Sequence, residues 1–176
     1  MRSNQLSYPA KFEGANIITF LRRKNKGKKT SANAQKNLFL HNDLLQPEHM
    51  AKKPIELEYI IRTSDSILYN CLSTPSGLEE WFAPQVHIRG DVYTFIWEGE
   101  ERKAQLVSKK KEQMVRYQWL DESDKESNFF ELRIKIDEMT GELAMIVTDF
   151  AEEGEEDDQR MLWDEAVHEL KRHIGG

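Results

Sequence analysis

The chain has 176 residues, of which 39% are hydrophobic and 32% are charged. This composition is typical of a soluble globular protein with a heavily charged surface. Its longest apolar runs fall well short of the roughly 20 residues that a membrane helix requires, which argues against a membrane-spanning protein. The single cysteine, Cys71, excludes an internal disulfide framework and a thiolate metal cage, and predicts a reducing, cytoplasmic location.

The charge is divided unevenly along the chain. Residues 1–50 hold nine Lys/Arg and three Asp/Glu, a net charge of +6, whereas residues 51–176 carry −12. Residues 1–50 show no apolar periodicity that could support a core, so the sequence predicts disorder there. Three interpretations of this segment remain: a basic arm that binds nucleic acid or anionic lipid, a targeting peptide, or an upstream extension of a chain whose translation begins at Met50. We favour the last, because ordered patterning starts at Ile55, and we expect residues 51–176 to bind no nucleic acid.

The patterned part of the chain opens with a strand and two short helices. Apolar residues alternate with charged ones over residues 55–61, which predicts a strand with one buried face. Ser64 or Asp65 can cap a first short helix. Thr74 and Pro75 suit the cap and first turn of a second.

A run of strands and a long helix follow. Alternating apolar residues separated by turn signals predict strands at residues 86–89, 92–97, 103–108, 114–120, 130–136 and 143–150. The sequence Lys109-Lys110-Lys111 is predicted to be a turn. An apolar stripe then predicts a helix over about residues 158–174, with acidic residues at its start and basic residues at its end, as the helix dipole favours.

This order of elements predicts an α+β domain with one curved antiparallel sheet whose apolar face is covered by the last helix. Because a strongly bent sheet cannot close tightly on one helix, we expect a cavity between them, with tyrosines 59, 93 and 117 as possible polar anchors. The Trp81-Phe82 pair either packs there or forms a partner-binding edge. The candidate lining residues are Leu57, Tyr59, Trp81, Phe82, Phe95, Trp97, Tyr117, Trp119, Leu132, Ile134, Leu162, Ala166 and Leu170.

No catalytic motif is present in the sequence. It contains no phosphate-binding glycine loop, no Gly-x-Ser-x-Gly and no His-Glu-x-x-His, so we predict no catalytic residue, metal or cofactor. The polar side chains expected nearest the cavity are Arg116, Arg133 and Asp149. Both arginines alternate with the inward-facing side chains of their strands, which predicts that they point to solvent.

Three motifs resemble those of a known family. They are Thr-Pro-Ser-Gly-Leu-Glu-Glu-Trp-Phe-Ala-Pro at 74–84, Gly-Asp-Val-Tyr-Thr-Phe-Ile-Trp-Glu-Gly at 90–99, and Tyr-Gln-Trp at 117–119. Together they resemble the START-like superfamily, also called SRPBCC or helix-grip, and within it the branch similar to the C-terminal domain of the activator of the heat-shock chaperone ATPase. The resemblance implies a strongly curved antiparallel sheet of about six or seven strands wrapped round a long C-terminal helix, with two short helices after the first strand.

What the resemblance implies for function is broader. The superfamily includes lipid and hydrophobic-ligand carriers, polyketide cyclases, oxygenase domains and chaperone co-factors, so the fold alone does not determine the activity. We predict non-enzymatic binding of a hydrophobic small molecule or lipid in the cavity, by a monomer or weak homodimer. The alternatives are a protein-interaction module that acts as a chaperone co-factor, and a polyketide-cyclase-like enzyme.

Overall fold

The structure, a computed structural model, describes residues 52–121 and 126–175. The sequence predictions for residues 1–50, including disorder and a translation start at Met50, lie outside the described residues.

Seven antiparallel strands form one curved, unclosed sheet with the order β1-β7-β6-β5-β4-β3-β2. The first and last strands are therefore neighbours, while β1 and β2 form the two edges. The sheet agrees with the predicted helix-grip architecture and strand number. The strands are β1 (Lys53–Ile61), β2 (Gln85–Arg89), β3 (Val92–Trp97), β4 (Glu100–Lys110), β5 (Met114–Trp119), β6 (Phe129–Ile136) and β7 (Leu143–Ala151).

Three helices complete the described fold: α1 (Asp65–Ser73), α2 (Pro75–Glu79) and α3 (Glu156–Ile174). Their ends follow the predicted signals. The Ser64 hydroxyl oxygen accepts from the backbone N–H of Ile67 at 3.3 Å, and the Thr74 hydroxyl oxygen accepts from that of Gly77 at 3.0 Å. The described helices include none that is both long enough and apolar enough to span a membrane.

One predicted turn is misplaced. Strand β4 continues to Lys110, because Lys109 and Lys110 pair with Val115 and Met114. The turn therefore lies at residues 111–113, with Glu112 in the left-handed region at a φ of 56°. Three consecutive lysines have the polar composition of a turn. Lysines on a strand can nevertheless extend their ammonium groups into water.

Two groups of helices share the inner face of the sheet, defined here as the face that the helices cover. Helix α1 contacts β5 and β6, whereas α3 contacts β1 and β7. The sequence had assigned this face to the last helix alone. A helix is about 10 Å across and strands lie about 4.8 Å apart, so one helix spans only about two strands. The α1–α2 segment, defined here as residues 65–83, covers the part of the face that α3 cannot reach.

Candidate ligand-binding site

Aromatic rings form a continuous cluster on the inner face. Phe130 lies near its centre, with its ring centroid 5.0 Å from that of Tyr117, 5.1 Å from that of Trp119 and 5.2 Å from that of Phe82. Ring pairs at such distances contribute about 0.5–1.5 kcal/mol each beyond the area that they bury. The ring cluster consists of Trp81, Phe82, Tyr93, Phe95, Trp97, Tyr117, Trp119, Phe130 and Trp163.

The structure brings six of the predicted lining residues into this cluster. Trp81 and Phe82 are buried and contact each other. The remaining candidates lie on strands β1 and β6 or on α3. Of these, Tyr59 and Leu162 are half-buried and the others are buried, namely Leu57, Leu132, Ile134, Ala166 and Leu170. That these side chains line a ligand cavity stays a prediction.

Two central rings, Phe130 and Trp163, are not among the predicted site residues. Phe130 was recognised only as a strand residue and Trp163 only as part of the helix stripe. Phe130 shares the strand phase of Leu132 and Ile134, so the alternation that selected those two could have selected it. The contact between Phe130 and Trp163, with centroids 5.9 Å apart, joins residues from β6 and α3 and has no local signal.

Three rings of the cluster fasten the α1–α2 segment to the sheet. The Tyr117 hydroxyl donates to the Leu72 carbonyl oxygen at 3.0 Å, and the Tyr93 hydroxyl to that of Ser73 at 3.3 Å. The Trp97 indole N–H donates to the Phe82 carbonyl oxygen at 2.9 Å. We call these three rings and the segment they hold the anchored region. Two of the tyrosines expected to anchor a ligand therefore bind the protein's own backbone.

Burial changes the acidity of these hydroxyl groups. It raises the pKa of Tyr117 and that of Tyr93 above the ordinary value of about 10, because the charged tyrosinate is poorly solvated there. The pKa of Tyr59 is raised as well, first by burial and then by its hydrogen bond to Asp164 on α3, which is 2.7 Å long. All three therefore act as hydrogen-bond donors at neutral pH.

Helices α1 and α2 pack closely within the anchored region. A Cβ atom placed on Gly77 would lie 2.3 Å from the carbonyl oxygen of Asn70 and 2.7 Å from the Cα of Cys71. Cys71 itself is buried. Its carbonyl oxygen accepts from the Trp81 indole N–H at 3.1 Å. This part of the inner face has no room for a larger side chain at position 77.

A buried carboxylate lies beneath α3. Asp149 is on the inner face, as the pattern predicted. Its Oδ2 accepts from the Gln159 side-chain amide at 2.5 Å and from the Trp163 indole N–H at 2.8 Å. Its Oδ1 accepts from the backbone N–H of Phe150 at 2.8 Å. One acidic side chain thus joins the ring cluster, β7 and the start of α3.

Two buried side-chain amides lie at this end of the inner face. Asn128 donates through Nδ2 to the Trp119 carbonyl oxygen at 2.9 Å. Among the described residues, Asn128 Oδ1 and Gln159 Oε1 are buried and accept no hydrogen bond. We call Asn128, Asp149, Gln159 and Trp163 the amide region. Neither Asn128 nor Gln159 is among the site residues predicted from the sequence.

The two arginines considered as site residues lie on the opposite, outer face. Arg116 pairs with Glu131, with its Nη2 2.6 Å from Oε2, and Arg133 pairs with the same carboxylate. Arg116 also lies over the Phe129 ring, 4.4 Å from its centroid. Neither points toward the ring cluster, in agreement with their strand phase. Their shared partner, the buried Glu131, was not predicted.

Comparison with known proteins agrees with this architecture. Residues 49–176 match the START-like superfamily domain. The solution structure of BfR322 from Bacteroides fragilis is 40% identical, with a TM-score of 0.53, and the alignment covers 70% of this chain and 92% of BfR322. The chain therefore belongs to the START-like superfamily, whose members typically bind ligands.

More distant structures share the fold. The Aha1 dimer from Colwellia psychrerythraea is 17% identical, with a TM-score of 0.57 and coverage of 69% of this chain and 96% of that one. DynU16, a protein of the dynemicin biosynthetic locus, is 10% identical, with a TM-score of 0.55 and coverage of 69% and 47%. Identities this low show the fold alone. A search of curated proteins found no match.

Proposed function

We propose that this protein binds a hydrophobic small molecule or lipid, without catalysis, between the inner face of the sheet and helix α3. The ring cluster carries the proposal, because it brings nine buried aromatic rings together beside a few fixed polar groups. That combination is typical of small-molecule sites. Superfamily membership supports the same function.

The side from which the ligand enters can be inferred from the hydrogen bonds that hold the two groups of helices to the sheet. The anchored region binds α1 and α2 to the sheet through buried hydrogen bonds. Helix α3 meets β1 through the half-buried Tyr59 and its hydrogen bond to the exposed Asp164. An exposed hydrogen bond contributes less than a buried one and is easier to open. On its other side α3 is held to β7 by the buried hydrogen bonds from Gln159 and Trp163 to Asp149. We therefore propose that the ligand enters between α3 and β1.

Native mass spectrometry of the full chain, purified from its own host, tests the proposal. The expected spectrum contains a stoichiometric additional mass that disappears after extraction with organic solvent. The extracted material then gives the formula of the ligand. A spectrum of the bare chain alone, from protein that is shown to be folded, would contradict the proposal.

A matched pair of variants on α3 locates the ligand. Leu162 is half-buried and Met161 is exposed. Leu162→Trp adds bulk toward the sheet and is expected to reduce the fraction of ligand-bound chain. Met161→Trp adds the same bulk toward solvent and should leave that fraction unchanged. Equal occupancy in both variants would place the ligand elsewhere.

The second candidate function is that of a chaperone co-factor. The likeness to Aha1 from Colwellia psychrerythraea favours it. Adding the full chain to a purified heat-shock chaperone from the same host should then raise its ATPase rate, whereas ligand binding alone predicts no change. The cyclase-like alternative has less support, because two of its three candidate polar residues, Arg116 and Arg133, pair with Glu131 on the outer face.

A further inference from the structure

The amide region has hydrogen-bonding capacity that the fold does not use. Asn128 and Gln159 keep only 2% and 8% of their surface exposed. Among the described residues, Asn128 Oδ1 and Gln159 Oε1 have no donor. A buried acceptor without a donor is unfavourable, and native structures leave few of them. Water or a ligand group with a donor hydrogen is therefore expected at each oxygen, and the charges and rings around the two oxygens decide which ligand group would suit them.

The orientation of both amides is fixed by their neighbours. Asn128 Nδ2 faces the carbonyl oxygen of Trp119, and Gln159 Nε2 faces Oδ2 of Asp149. Each of those atoms is an acceptor, so the NH2 group must point to it and the amide oxygen must point away. Asn128 Oδ1 and Gln159 Oε1, which have no partner among the described residues, are therefore carbonyl oxygens that can only accept hydrogen bonds. A group that meets them has to donate.

The two oxygens lie at the same end of the inner face. Thr148 of β7 pairs with Glu131 of β6, which places Asp149 beside Phe130. Asn128 lies two residues before Phe130, and the backbone N–H of Trp119 bonds to its carbonyl oxygen. Asn128, which directly precedes β6, and Asp149 on β7 are therefore diagonal neighbours. The backbones of such neighbours are about 7–8 Å apart, a distance that one small ligand can span. The Gln159 side chain donates to Asp149, so Gln159 Oε1 also lies at this end of the inner face.

The charges nearby disfavour an anionic ligand. Asp149 is itself a carboxylate. Arg102, which lies 3.8 Å from the centroid of the Trp119 ring, is already paired through Nε with Asp121 at 2.8 Å. A ligand carboxylate would meet two acceptor oxygens and an acidic side chain. A neutral donor group would meet partners that suit it.

We propose that the ligand is a neutral, largely apolar molecule with a hydroxyl or amide N–H group, which donates to Asn128 Oδ1 or Gln159 Oε1 while its apolar part lies against Trp119, Phe130 and Trp163. This inference rests on the proposed function and adds the chemical class of the ligand. Long-chain alcohols, sterols and phenols belong to that class, whereas fatty acids in their ionised form do not.

Three naphthalene probes separate the possibilities. 2-Naphthol can donate, 2-methoxynaphthalene has the same ring system but cannot, and 2-naphthoate is anionic. Each is titrated into the ¹⁵N-labelled full chain at neutral pH, following the side-chain amide signals of Asn128 and Gln159 and the indole signal of Trp163. We expect 2-naphthol to bind about tenfold more tightly than its methyl ether, as one additional hydrogen bond allows, and to shift at least one of the two amides. 2-Naphthoate should bind most weakly.

Variants assign the contact. Gln159→Met removes one of the two oxygens and Asn128→Leu removes the other. In the variant that lacks the oxygen bound by the hydroxyl, the affinity ratio of 2-naphthol to 2-methoxynaphthalene should fall from about ten to about one. Gln105→Met, an exposed position on β4, is the control and should keep the original ratio. If either variant fails to fold, the comparison of the three probes on the unaltered chain still decides.

The outcomes distinguish this inference from the proposed function. Equal affinity for 2-naphthol and 2-methoxynaphthalene would overturn the inference, since water would then satisfy both oxygens, but ligand binding would stand. Tightest binding of 2-naphthoate would also overturn it. Binding of none of the three at millimolar concentration would overturn the proposed function together with the inference.

Discussion

The anchored region and the amide region lie on the same sheet but use their polar groups differently. In the anchored region, Tyr93, Trp97 and Tyr117 each donate to a backbone carbonyl of the α1–α2 segment. In the amide region, Asn128 and Gln159 each keep a buried oxygen without a donor among the described residues. The first region commits its hydrogen bonds to the fold. The second retains capacity for another molecule.

Because of this difference, we expect substitutions in the two regions to have different effects. Changes in the anchored region should lower the free energy of unfolding without any ligand present. Changes at the two unpartnered oxygens should mainly alter binding. Asp149 lies between these cases, because it belongs to the amide region and also joins β7 to α3 within the fold.

The largest effect is expected at the contact between α1 and α2. Gly77→Ala places a Cβ 2.3 Å from the Asn70 carbonyl oxygen, and this backbone atom cannot move without displacing α1. We expect the free energy of unfolding to fall by about 3 kcal/mol, measured by urea denaturation. Ser76→Ala, at an exposed position of the same helix, should change it by less than about 0.5 kcal/mol. Similar values for both variants would mean that the two helices are not tightly packed.

The next effect tests how α3 is held to β7. Asp149→Asn keeps the size of the side chain but replaces one acceptor oxygen with an NH2 group. Either the Phe150 N–H or the pair of donors from Gln159 and Trp163 then loses its acceptor. We expect a loss of about 2 kcal/mol, because hydrogen bonds to a charged group are lost and buried donors remain.

Asp157→Asn serves as its control. Asp157 is exposed in the first turn of α3. Its carboxylate is placed to interact with the helix dipole, which corresponds to about 0.3–1 kcal/mol. If the two variants were equally stable, Asp149 would contribute no more to the attachment of α3 than a surface carboxylate does.

A smaller effect is expected for one hydrogen bond of the anchored region. Tyr117→Phe retains the ring and its contacts but leaves the Leu72 carbonyl oxygen without its donor. The expected loss is about 1.5 kcal/mol. Tyr59→Phe removes the hydroxyl that donates to the exposed Asp164, and water can replace it there, so the loss should be about 0.5 kcal/mol. The reverse order would show that the Tyr59–Asp164 hydrogen bond contributes more to stability than the bond between Tyr117 and the Leu72 carbonyl oxygen.

Much of this architecture follows from local patterns in the sequence. Strict alternation predicted the strands that became β3, β5 and β6, because one face of each is buried. Ser64 and Thr74 marked the starts of α1 and α2 correctly. The ends of β4 were less predictable, since its lysines pair with β5 while their charged ends remain in water.

The site was less predictable than the fold. Alternation identifies which rings face inward, and it selected Phe95, Trp97 and Tyr117 correctly as inward-facing. It cannot show that the hydroxyls of Tyr93 and Tyr117 meet carbonyls of the α1–α2 segment, because those contacts join distant parts of the chain. Asn128 sits in a polar stretch that has the composition of a loop. Its side chain is held against strand β5, where it donates to the Trp119 carbonyl oxygen.

High pH provides a further test of the anchored region. Tyr117 and Tyr93 both have a pKa raised above about 10, primarily by burial. The unfolded chain therefore loses these protons first as the pH rises through 10, so the folded state becomes less stable. Below that pH both states are protonated and the full contribution to stability is present.

Tyr117→Phe isolates the contribution of one hydroxyl from that of the lysines, which lose protons in the same range. Between pH 10 and 11, the free energy of unfolding of the unaltered chain should fall by about 1 kcal/mol more than that of Tyr117→Phe. Urea denaturation at closely spaced pH values measures this difference. Parallel curves for the two proteins would mean that Tyr117 titrates alike in the folded and unfolded chain, and its hydroxyl would then not be enclosed between β5 and α1.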